Sequence, residues 1–157
     1  MNEPTEFKYP LDEYGEPYFA GSHVNAIQGM DEILEKLNVE DTKWIKYDVP
    51  SPVEKDTLFK ASGENGFDCG YRIIKMLGIE EFYIRFNLRN INNDTVIKLP
   101  SGLIKHSQSF TLRSSRSHAP VKVAVRPNGN INLYPITSSS NWASNDYVYG
   151  EVSFLNN

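Results

Sequence analysis

The chain has 157 residues, 39% of them hydrophobic, and a formal charge of −4, which bounds it to one ordinary domain or a small head with a stem segment. Five acids and one base fall in residues 1–22, leaving 15 of each sign in the remainder, and a neutral remainder excludes a sequence-independent grip on nucleic acid. No apolar run reaches membrane-spanning length, so no membrane partner is expected.

Leu, Ile, Val and Phe total 41 residues, about a quarter of the chain and above the range where disorder sets in. The chain therefore folds, with oligomerisation expected to add to a thin core. Fifteen Asn and 14 Ser favour turns and caps, and nine Tyr with eight Phe tilt the class toward β.

Residues 1–22 hold Pro4, Pro10 and Pro17 among five aromatics. Proline blocks a regular helix, and the aromatics argue against a purely solvated linker, so an extended N-terminal arm pinned in places is expected. Residues 23–38 follow as a short helical stem. Ile27, Met30, Leu34 and Leu37 recur at steps of three, four and three, two heptads of a coiled-coil seam. With Val24 they are the candidate oligomer interface. Gly29 lies inside the helix and costs about 1 kcal/mol relative to Ala. A helix this short is marginal alone, so the sheets are expected to supply most of the assembly contact.

Residues 39–157 read as a β-sandwich head. Trp44–Tyr47 alternates like a short strand, Pro50 and Pro52 break it, and residues 62–66 form a turn-rich loop. Strands are expected at 71–76, 82–89, 95–99, 110–113, 121–126 and 147–155. Phe82, Ile84, Phe86 and Leu88 alternate strictly with Tyr83, Arg85, Asn87 and Arg89, the period of a half-buried strand. At Asn128-Gly129 a three-residue loop over 128–130 is expected, pairing Val125 with Leu133 and keeping apolar faces together. Val148, Val152 and Phe154 fall on one face of the last strand. Short strands punctuated by turns describe a mainly β, antiparallel sandwich of jelly-roll-like type.

Little in the chain resembles a catalytic signature. His23, His106 and His118 are scattered and no HExxH, CxxC, GxSxG or phosphate loop occurs. No metal, cofactor or enzymatic activity is expected. Cys69 stands alone, so no intrachain disulfide forms, and it is expected as a small buried hydrophobe. Glu80 and Glu81 are adjacent and point to opposite faces of a strand, which is no acid/base dyad. Two loops could recognise a ligand. Trp142 lies among Asn141, Asn145 and Asp146, close to Tyr147 and Tyr149; aromatic faces stack on sugar rings while amides and carboxylates meet the hydroxyls. Arg113, Arg116 and His118 sit in a Ser-rich loop that could hold the phosphates of a polyanion.

The runs FYIRFNLRNI, TVIKLPSGL and VKVAVRPNGNINLYP, then a Trp and a terminal YGEVSF, resemble the C-terminal head domains of siphophage tail proteins. The likeness is greatest to staphylococcal tail-fibre and baseplate upper proteins, where HVNAIQG-like and WIKYDVPSPVEKD-like segments precede a similar β module. It covers roughly residues 22–155. It implies a virion protein made in the host cytoplasm, a homotrimer with other tail or baseplate proteins as partners. Its head would contact a host cell-wall glycan or a teichoic-acid-like polymer. The virion-attachment region of such proteins has no counterpart here, so a head portion of a longer protein is expected. A cell-wall depolymerase and a purely structural tail connector are the alternatives.

Overall fold

The computed structural model describes residues 33, 35, 37–93, 95–115, 120–135 and 145–157. The chain divides into two compact units, Met1–Asn38 and Val39–Asn157. In the first, Ile33, Glu35 and Leu37 are helical, and Asn38 N donates to Glu35 O at 3.2 Å as the helix closes. The expected arm over residues 1–22 and the seam positions Val24, Ile27, Met30 and Leu34 lie outside the described residues.

The second unit is mainly β. Its described residues form nine strands: β1 (Glu40–Asp41), β2 (Glu54–Lys55), β3 (Gly70–Met76), β4 (Ile79–Arg89), β5 (Val96–Lys98), β6 (Gln108–Leu112), β7 (Val121–Val125), β8 (Asn130–Pro135) and β9 (Tyr147–Leu155). Every pairing is antiparallel. One sheet runs β1-β3-β4 with β9 on the other side of β4, and the second runs β5-β8-β7-β6. Since β9 occupies one edge of β4 over Glu81–Arg89, β3 and β2 must share the opposite edge. β3 pairs with residues 79–85 and β2 with 88–89, which leaves a gap in the ladder at Phe86 and Asn87.

Alternation along β4 decides how the sheets meet. Phe82, Ile84, Phe86 and Leu88 are fully buried, facing Ile97, Leu112, Val121, Val123, Val125, Ile131 and Leu133 of the second sheet in one continuous core. Burying each such side chain contributes roughly 1.5–3 kcal/mol. Phe82 stacks on Tyr71 at 5.9 Å and meets Phe154 at 5.2 Å, and Phe154 meets Phe110 at 5.5 Å. Across this core the two antiparallel sheets form a sandwich-like module. Ser114 bridges Val148 and Ser115 N donates to Tyr147 O at 3.0 Å, so the chain leaving β6 crosses to the first sheet.

Three expectations are corrected. The hairpin after β7 pairs Val125 with Ile131 and Val123 with Leu133, not Val125 with Leu133. Its loop is Pro127-Asn128-Gly129, closed by Gly129 N to Arg126 O (2.9 Å) and Arg126 N to Asn130 O (3.0 Å). The reason is Pro127, whose fixed φ suits the first central position of a type I turn, followed by Gly129 at φ 82. Trp44–Tyr47 is not a strand: Ile45 alone makes a bridge, to Tyr71. The strand expected at 110–113 starts two residues earlier, at Gln108, and ends at Leu112.

Candidate functional site

The outward residues of the first sheet carry far more than a solvated surface requires. In register, Gly70 lies opposite Arg85 and Arg85 opposite Glu151, while Asn87 lies opposite Tyr149 and Arg89 opposite Tyr147. Gly70 has no side chain, and a Cβ there would sit 3.5 Å from the Trp44 ring. Trp44 therefore lies over the sheet, with the Arg85 guanidinium 3.8 Å from its centroid. The same guanidinium is 4.9 Å from the centroid of the Phe67 ring.

The row continues without a break. Phe67 stacks on Tyr149 at 4.1 Å, Tyr149 meets Phe59 edge-on at 4.7 Å, and Phe59 meets Tyr147 edge-on at 6.0 Å. Five aromatics and one guanidinium thus make up this row on the outer face, half-buried except for the more exposed Phe59. Cation–π and edge-to-face contacts of this kind add about 0.5–1.5 kcal/mol each beyond area burial.

Charged groups flank the row. Arg85 Nε donates to Glu151 Oε2 at 2.6 Å. Asp68 takes Lys46 at 2.7 Å and Lys60 on its other oxygen, and the hydrogen bonds from Lys46 and then Lys60 hold its carboxyl below the usual range. Farther along the same face Arg72 grips Asp41 with both Nε and Nη2, at 2.8 and 2.7 Å. Arg89 has its Nε buried with no hydrogen-bond partner among the described residues.

The segment carrying Phe59 and Phe67 is tied to the sheet at the gap in the β4 edge. Asn87, fully buried, accepts from Leu58 N and donates to Leu58 O and Phe67 O. Asp56 N donates to Asn87 O at 2.9 Å, and Phe67 N donates to the Tyr149 hydroxyl at 3.0 Å. Cys69 fills the same gap, its Sγ 3.4 Å from Asn87 O and 3.2 Å from Asn87 N. Burial pushes its thiol up to about 11, so it is a packing residue with little thiolate, as its isolation in the sequence suggested.

Of the residues singled out from sequence, Tyr147 and Tyr149 belong to this row. Ser114 and Ser115 pair with the start of β9, which brings the Arg113 segment beside them, and Arg113 and Asn145 are exposed. Asp146 has a buried side chain that accepts from Ser115 Oγ, which braces the strand junction. Arg116, His118, Asn141 and Trp142 lie outside the described residues. Leu37 is helical and exposed.

Trp44, Phe59, Phe67 and Arg85 were missed. The available signal was the polar face of the alternating strand, where Arg85 sits between Tyr83 and Asn87. By contrast, the outward positions of the second sheet, Val96, Lys98, Ser109, Thr111, Lys122, Ala124, Asn130, Asn132 and Tyr134, carry a single aromatic. Among the described residues no three His, Cys, Asp or Glu side chains gather as metal ligands. Among the described residues a pocket lies elsewhere, at the β3–β4 turn, lined by Lys75, Gly78, Ile79, Glu80, Lys105 and Asn157. There Glu80 is occupied by Asn156 Nδ2 and by Lys75 at 3.3 Å. No family model, no curated protein and no solved structure matches this chain.

Proposed function

We propose that Val39–Asn157 is the recognition head of a phage tail fibre or baseplate protein, which attaches the virion to a host cell wall without chemistry of its own. In this reading the N-terminal arm and coiled-coil-like helix form the stem of a homotrimer docked to other tail proteins. The observation that carries the reading is the outward row from Trp44 to Tyr147. A sheet face that exposes aromatic edges flanked by hydrogen-bonding charges suits sugar rings and their hydroxyls. The sequence resemblance to staphylococcal tail-fibre and baseplate heads supports the same conclusion from another direction.

The test is a pull-down of the purified chain on intact staphylococcal cell walls, with fragment release measured alongside. Retention on the wall without released fragments is the expected result. Release of soluble saccharide would replace the reading with a depolymerase, and absence of retention would leave a structural connector.

A second observation favours that connector reading. The same row, with Asn87, also clamps the 58–67 segment onto the sheet, which is a structural duty that needs no ligand.

A further inference from the structure

We infer that the outward face of the first sheet around the β3–β4 turn is a contact between neighbouring copies of the head. The inference rests on the homotrimer proposed above and names the surface through which its heads meet.

Five of the ten large hydrophobics exposed among the described residues gather at this one end: Val39, Met76, Leu77, Ile79 and Leu155, each 47–62% exposed. Strand pairing sets them side by side. Met76 lies opposite Ile79, Ile74 opposite Glu81, and Glu81 opposite Leu155, all on the face away from the core residues Ile73 and Phe82. The register of β1, Glu40 opposite Lys75 and Asp41 opposite Ile74, brings Val39 beside Met76. Ile74, Met76, Leu77, Ile79 and Glu81 line a hollow of about 250 Å³. Exposed apolar side chains gathered in this way mark an interaction surface, where single scattered ones would not.

The turn carries a cost that its own chain does not recover. Leu77 and Gly78, the two residues between the paired Met76 and Ile79, have φ 55 and 78. Positive φ at both central residues belongs to a type I′ loop, where Asn-Gly is the favoured pair and a bulky first residue is strained. Leu77 stands there 54% exposed. Its apolar surface gains burial only when another molecule covers it.

Charge and connectivity point to a second copy as that molecule. Lys43 and Arg72 both pair with Asp41, at 2.6 and 2.7 Å. Lys75 and Lys105 approach Glu80 at 3.3 and 3.9 Å, and Lys75 lies 4.0 Å from Glu40. With Glu81, four acids stand against four bases around the patch. An anionic membrane surface recruits an excess of bases, which this rim lacks, whereas a rim of both signs can complement another copy of itself. The stem joins the head at Asn38–Val39, so stems that associate bring their copies of Val39, and the patch beside it, together. Five half-exposed side chains fall short of the roughly 800 Å² per partner that a stable interface buries. The patch therefore adds to the stem and does not replace it.

The experiment is sedimentation velocity of the full chain over a roughly hundredfold range of concentration. The unmutated protein is compared with Leu77→Asn, Ile79→Lys and a control on the other sheet, Tyr134→Ser. The inference expects association weakened about tenfold in the first two and unchanged in the control. Because Asn suits the turn, Leu77→Asn should melt no lower than the unmutated protein at the lowest concentration. Should Ile79→Lys fail to fold, Leu155→Lys reads the same patch.

A lower melting temperature in Leu77→Asn with unchanged association would show that Leu77 serves its own chain, which overturns the inference. Binding to phospholipid vesicles that Leu77→Asn abolishes, again with association unchanged, overturns it in favour of a lipid surface. An oligomer that no patch variant weakens places the contact in the stem alone, overturning the inference and leaving the homotrimer intact. A monomer at every concentration overturns the homotrimer as well, and retention on cell walls then reports on recognition by itself.

Discussion

Asn87 and Leu58 are joined at both ends of one amide: Leu58 N donates to Asn87 Oδ1 at 3.0 Å, and Asn87 Nδ2 donates to Leu58 O at 3.1 Å. The same Nδ2 reaches Phe67 O at 2.8 Å. One side chain therefore closes the gap that β3 and β2 leave on the edge of β4, and it does so for a loop with no ladder of its own. Because the amide is fully buried, its partners have no water to turn to.

Asn87→Ala is accordingly expected to destabilise the protein by about 3 kcal/mol, since it orphans buried backbone groups of Leu58 and Phe67. The shift in urea midpoint at constant slope measures it. Asn87→Asp should rescue little, because a carboxylate accepts from Leu58 N but cannot donate to the two carbonyls. A midpoint unchanged in both variants would mean the loop is held by its aromatics alone.

Two glycines with left-handed backbones should respond differently to alanine. At Gly129, φ 82, a Cβ would overlap the Leu99 carbonyl oxygen, whereas at Gly78, φ 78, nothing lies within 4 Å. Gly78→Ala meets only the conformational penalty, about 1 kcal/mol. Gly129→Ala adds a backbone collision in a junction where Leu99 N also bonds Gly129 O at 2.9 Å, and it should cost at least twice as much. Thermal melts of the two variants, side by side, decide this.

Asp41 links stability to acid. Hydrogen bonds from Arg72, then from Lys43, hold its carboxyl well below the usual carboxylate range. A group whose folded pKa is depressed contributes stability that is complete above its unfolded value, about 4, and is lost as pH falls through the folded value. Unfolding midpoints should therefore fall progressively below about pH 4, with a shallower decline in Asp41→Asn. Parallel acid limbs for the two proteins would count against the pair.

Cys69 offers a chemical check on the same loop. Its buried thiol, pushed up to about 11, should not react with a water-soluble disulfide reagent at about pH 8, where an ordinary thiol is partly ionised. Full reaction is expected once the chain is unfolded in guanidinium. Rapid labelling of the native protein would show that the 56–69 segment opens readily.

Strand identity was legible where one face is buried. Phe82–Arg89 and Tyr147–Leu155 announce themselves by period two, because every second side chain must enter the core. The hairpin between β7 and β8 was misread by two residues in its pairing because the loop was expected over 128–130, leaving out Pro127, the residue that seeds the turn. The short pairs β1 and β2 left no pattern at all, since two residues are too few for periodicity to register.

The sequence by itself determined the β class, the inward face of each long strand and the inert role of the lone cysteine, all consequences of local periodicity and composition. Only the tertiary structure decided the candidate site. Arg85 and Glu151 are 66 residues apart, and Phe67 and Tyr149 are 82 apart. Their meeting depends on β9 joining the β4 edge in one register and on a loop folding over the gap beside it. Outward positions carry no burial constraint, so their chemistry becomes readable only when strand pairing sets them side by side.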